Sequence, residues 1–95
     1  MINEARHQLG ERIRAMRTEQ KMTVRGFALM IGLSKDYIID LEYGRKSPTF
    51  DTILKIAAGL DVTASELLQG IGESSEARQR KPEETHPPEY YHTRL

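Results

Sequence analysis

Apolar side chains in the first seventy residues fall three and four places apart, the spacing of one helical face, in five short runs. Leu9, Ile13 and Met16 form the first stripe, with Asn3 as its N-cap. Arg6, Glu11, Arg12, Arg14 and Arg17 fill the wet surface of that helix, which ends at the polar turn Gln20-Lys21 with Met22 packed beneath. Thr23 caps a second helix whose buried positions are Phe27, Ala28 and Ile31. Gly26 costs this helix roughly 1 kcal/mol relative to alanine. Gly32 supplies the positive φ of a sharp turn, Leu33 plugs the corner, and Ser34 caps a third helix. On that helix Ile38 and Leu41 face inward, while Lys35, Asp36, Ile39 and Asp40 face elsewhere until Gly44 stops it. Pro48-Thr49 opens a fourth helix with Ile53, Leu54, Ala57 and Leu60 on its apolar face. Thr63 and Glu66 make a capping box for a last short helix that ends in Leu67-Leu68.

The pattern predicts an all-α protein, a compact five-helix domain over residues 1–70. Beyond Gly70 the composition changes. Residues 73–89 are mostly Glu, Ser, Arg, Gln, Lys and Pro, with too little apolar surface to offset the entropy of ordering. Residues 71–95 are therefore expected to be a flexible, disordered tail; its aromatic end, Pro87-Pro88-Glu89-Tyr90-Tyr91-His92, is read first as a floppy terminus and otherwise as a segment that docks on a protein partner or on the domain itself.

Composition narrows the chemistry. Without cysteine there are no disulfides or thiolate metal sites. The first six residues lack the apolar core of a signal peptide, and no run approaches the ~18 apolar residues of a membrane span, so a soluble cytoplasmic protein is expected. His7, His86 and His92 are scattered, and Ser34 has no histidine near it, which argues against an enzyme. Glu83, Glu84, His86, Glu89 and His92 match no metal-site spacing, and no glycine-rich phosphate cradle follows a strand. No catalytic residue, metal or cofactor is expected.

Two short helices joined by a tight glycine turn can place the second in a DNA major groove. Here the second is the helix over residues 34–43, followed by the basic, proline-closed loop Arg45-Lys46-Ser47-Pro48. Bulk charge gives no help, because fourteen Lys and Arg balance fourteen Asp and Glu. Residues 1–70 carry ten basic and nine acidic side chains. Any nucleic-acid binding must come from a local patch.

Leu9-Gly10-Glu11-Arg12-Ile13-Arg14, the segment Thr23 to Ala28, the segment Ser34 to Gly44 and the segment Leu54 to Leu68 together resemble the phage-repressor (Cro-like, xenobiotic-response-element type) helix-turn-helix family. The likeness covers about residues 6–70. It implies a sequence-specific transcriptional regulator that binds double-stranded DNA, usually as a homodimer on a palindromic operator. It also implies a partly buried ion pair between Arg17 and Glu42, tying the first helix to the third. Base-reading positions of the family fall on Lys35, Asp36 and Asp40, with Ser34 and Ile39 beside them. Phosphate contacts fall on Arg45 and Lys46, with Thr23, Arg25, Tyr37, Ser47 and Thr49 in support. The chain departs from the family pattern where Val24 replaces a glutamine that contacts phosphate, and where two acids stand on the groove-facing surface. An Asp can accept from cytosine N4, Lys35 suits guanine, and Ile39 suits a thymine methyl. Those departures, with the zero net charge, leave a second class open: the same fold as a protein-interaction module or antitoxin with weak DNA affinity.

Overall fold

The computed structural model describes residues 2–73; the expected tail, its aromatic end and the acid-histidine run at 83–92 lie outside them, apart from the first three tail residues. Five helices follow in order: α1 (Ile2–Glu19), α2 (Val24–Ile31), α3 (Lys35–Glu42), α4 (Phe50–Gly59) and α5 (Ala64–Leu68). No strand occurs among the described residues, so the all-α expectation holds. α1 packs on α3 and α5, while α2 packs on α3 and α4.

Capping explains where the elements start. Thr23, Ser34, Thr49 and Thr63 all take extended backbone angles, and each side-chain oxygen accepts a hydrogen bond from the N–H three residues on. Thr63 and Glu66 complete a reciprocal capping box. Helix α1 starts differently: it already runs from Ile2, which puts Asn3 inside the first turn and not at the expected cap.

One core joins the helices, built from Leu9, Ile13, Phe27, Ile38, Leu41, Ile56, Ala57, Leu60 and Leu67, with Ala28 among them. Two expected core positions move. Ile31 is half-buried at the edge of the core. Leu54 is 44% exposed, and Ile56 is fully buried in its stead. The reason is angular: Ile53, Ile56, Ala57 and Leu60 form one i, i+3, i+4, i+7 stripe, and Leu54 lies a further 100° round the helix. Phe50, Leu54 and Ala58 share the outer stripe.

Glycine sets one close approach that no side chain would permit. A Cβ on Gly10 would stand 2.4 Å from the carbonyl oxygens of Leu41 and Glu42, so α1 meets the end of α3 backbone to backbone. Arg17 strengthens the same seam. Its Nε and Nη2 donate to the two Glu42 carboxylate oxygens at 2.7 and 3.0 Å, and its Nη1 donates to the Met22 carbonyl at 2.7 Å. Both partners of this bidentate pair are 7% exposed. Arg12, read from the sequence as a solvated charge, instead donates to the carbonyls of Glu66, Leu67 and Gln69 and caps the C-terminus of α5. Ile71 packs on the core and the Gly72 N–H donates to Gln8 Oε1, so the chain stays tied to α1 just past α5.

Candidate nucleic-acid interface

The turn before α3 is short because Gly32 takes a left-handed conformation (φ 77°), which lets the Leu33 N–H return to the Ala28 carbonyl at 2.9 Å. Ser34 then begins α3 by accepting from the Tyr37 N–H at 3.1 Å. Ile38, Leu41 and Glu42 anchor α3 inward. Lys35 and Asp36 stand exposed, whereas Tyr37, Ile39 and Asp40 are half-buried. Ile39, which the sequence turns away from the core, is half-buried without being among the side chains packed on that core.

Two groups of candidate residues form. At the start of α3, Arg25, Leu29, Ser34, Lys35 and Asp36 line a common surface depression. Arg25 on α2 thereby puts a cation beside the exposed Lys35 and Asp36. Val24 is half-buried against the core, so the family's phosphate-contacting position serves packing here.

At the other end of α3, Gly44 (φ 75°) ends the helix and the Arg45 N–H closes back on the Asp40 carbonyl at 2.8 Å. The side chains of Arg45 and Lys46 then flank Asp40, at 3.2 and 3.7 Å from different carboxylate oxygens. Each cation also lies over a ring: Arg45 is 5.0 Å from the Tyr43 centroid and Lys46 is 5.8 Å from that of Tyr37. Ser47 is exposed in the loop that follows.

Thr23 and Thr49 belong to neither group. Their hydroxyls accept the first N–H bonds of α2 and α4, and the Thr49 hydroxyl also donates to Thr52 Oγ1 at 3.0 Å. Phe50, next to Thr49, went unnoticed in the sequence yet is 68% exposed at the start of α4. The signal was its place as the first residue after a cap, four residues before the outward Leu54. Among the described residues, no three metal-ligating side chains converge, and no helix is long and apolar enough to cross a membrane.

What the arrangement can do is electrostatic. A helix presents one exposed Lys and one exposed Asp, with Arg25 near its start and Arg45 and Lys46 at its end. Cations at both ends suit two phosphate runs on either side of a groove, and polar groups between them suit base edges.

Residues 13–67 match the family model described as helix-turn-helix. Over 63 residues the chain is 33% identical to the HTH-type transcriptional regulator DdrOP3 of Deinococcus deserti, covering 66% of this chain and 49% of that protein. It is 31% identical over 75 residues to the immunity repressor protein of Bacillus phage phi105, covering 79% of this chain and 50% of the repressor. The chain thus spans about half the length of these two relatives. Among solved structures, the restriction-modification controller protein C.AhdI from Aeromonas hydrophila superposes with a TM-score of 0.64 at 31% identity, over 65% of this chain and 94% of the controller.

Proposed function

We propose, on the premise that this chain belongs to the helix-turn-helix family, that it is a DNA-binding transcriptional regulator that reads the major groove with α3. The observation that carries this reading is the placement of cations at both ends of an outward-facing α3: Arg25 beside its start, Arg45 and Lys46 at its end. Ser34, Lys35, Asp36, Ile39 and Asp40 face the bases. Arg25, Tyr37, Arg45 and Lys46 hold phosphates and fix the register, with Thr23, Ser47 and Thr49 bordering them. Two copies bind a palindrome as a homodimer, as the twofold symmetry of such operators requires.

Selection of bound duplexes from a random pool tests this directly, with a recovered palindrome as the expected result. On the recovered site, Lys35→Ala should cost roughly 1–3 kcal/mol and relax preference at one base pair. An unchanged binding profile for that variant removes Lys35 from the reading role. A protein-interaction module is the competing reading, favoured by the internal pairing of both loop cations with Asp40. The two differ in salt dependence: a DNA binder loses affinity steeply as salt rises, and an adaptor has no such affinity to lose.

A further inference from the structure

Asp40 sits in the last turn and a half of α3, and its two carboxylate oxygens face different cations. Arg45 Nη1 lies 3.2 Å from Oδ1, and Lys46 Nζ lies 3.7 Å from Oδ2. Each cation is also seated on a ring, Arg45 over Tyr43 and Lys46 over Tyr37. One anion therefore bridges two cations, each with an aromatic face beside it, and the backbone bond from Arg45 to Asp40 holds the loop in register.

Exposure decides what this cluster can do. The Arg45 and Lys46 side chains are 60% and 56% exposed, and that of Asp40 is 28% exposed. Ion pairs so open to water contribute little to stability, and a second anion can approach both cations from solvent. A duplex phosphate is the stronger competitor, since its neutralisation releases condensed counterions.

We propose that Asp40 is an internal stand-in for a DNA phosphate and, through this exchange, a specificity-determining residue. Its carboxylate holds Arg45 and Lys46 in the free protein and yields them to the DNA backbone on binding. The inference rests on the DNA-binding reading above and adds how that surface rejects wrong sequences. Once displaced, the carboxylate stands close to the duplex without its cations. Against arbitrary sequence it meets only like charge. Against a cytosine N4 amino group it regains a donor. Discrimination then comes largely from penalising unsuitable sites, which fits a chain with no net positive charge to drive indiscriminate binding.

The test compares wild type, Asp40→Asn and Asp36→Asn, with Asp40→Ala as a second variant at the same site. Affinity is measured against salt, on selected and on mixed-sequence duplexes. Asp40→Asn should bind mixed sequence roughly threefold tighter or more, with a slope of log K against log salt steeper by about 0.9. Its ratio of selected to mixed affinity should fall. In the free protein, NMR should show the Tyr37 and Tyr43 ring resonances displaced by Asp40→Asn and not by Asp36→Asn. Weaker mixed-sequence binding would mean that Asp40 merely braces the cations, and would overturn the exchange. An unchanged slope, or an Asp36→Asn variant that reproduces every effect, would overturn it too. Titration with inorganic pyrophosphate, read on the same rings, separates this inference from the function it rests on. Tighter pyrophosphate binding by Asp40→Asn with no duplex binding by any variant upholds the exchange and removes DNA as the ligand. Duplex binding by wild type, with neither effect in Asp40→Asn, removes the exchange alone.

Discussion

Glu42 occupies the last turn of α3, where the helix dipole disfavours an anion, and Arg17 answers it with a bidentate grip in a nearly water-free seam. Burying two charges costs hydration, so the pair need not be a net source of stability; breaking it by half is what costs. Arg17→Met alone should lose roughly 3–5 kcal/mol in urea unfolding, by stranding the Glu42 carboxylate. The double variant Arg17→Met with Glu42→Leu should recover most of that loss. A double variant as unstable as the single one would show that the seam needs the charges themselves. Lys21 and Asp61 raise a different residue-scale point. Both adopt left-handed backbone (φ 62° and 60°), and the N–H of the next residue returns to a helix carbonyl, from Met22 to Arg17 and from Val62 to Ala57. A side chain there opposes the backbone, so Lys21→Gly should raise stability by about 0.5–1 kcal/mol in the same assay, net of the added chain entropy. These two helix ends were not legible in the sequence as left-handed stops, because the usual marker of such a stop, glycine, follows α2, α3 and α5 at Gly32, Gly44 and Gly70 but is absent from positions 21 and 61.

At the scale of elements, the caps were legible and the contacts between helices were not. Ser or Thr before an apolar run fixes where a helix can begin through bonds made within four residues, so Thr23, Ser34, Thr49 and Thr63 needed no tertiary information. Arg12 shows the opposite case. Its partners lie more than fifty residues away at the end of α5, and no local pattern distinguishes it from a solvated arginine such as Arg14. Leu54 and Ile56 show why a short amphipathic helix misleads: with ten residues in α4, two apolar stripes fit the sequence, and only the position of α2 and α5 selects one. For the site, the turn at Gly32 and the exposed start of α3 could be read from the chain, whereas the bridging of Arg45 and Lys46 by Asp40 required the loop's path. Gly10 gives the sharpest test of the α1–α3 seam. On an isolated helix, Gly→Ala would add about 1 kcal/mol. Here the added methyl would meet backbone oxygens at 2.4 Å, which cannot swing aside as a side chain can. Gly10→Ala should therefore destabilise by roughly 1–3 kcal/mol in urea unfolding, reversing the sign expected from propensity. A gain in stability would mean the two helices separate freely.

For the whole molecule, an absence of net charge turns geometry into the main source of selectivity. Beside Lys35 on α3 itself, the candidate surface offers Arg25, Arg45 and Lys46, too few cations for tight binding by a single copy against competing salt. Two copies in the proposed homodimer would double the phosphate contacts on a palindrome and make the second contact nearly intramolecular, so affinity would depend on whether both α3 helices reach their grooves at once. In the proposed homodimer the half-sites lie about one helical turn apart, ~34 Å between centres. Inserting five base pairs between them turns the second half-site to the opposite face of the duplex, since B-DNA repeats every 10–10.5 base pairs or so. A mobility-shift titration of the lengthened site should then show the affinity of a lone half-site and a lower salt slope, because the second set of phosphate contacts is lost. Equal affinity at both spacings would mean that each copy binds alone, and that the selectivity of this chain lies wholly within one α3 and its flanking cations.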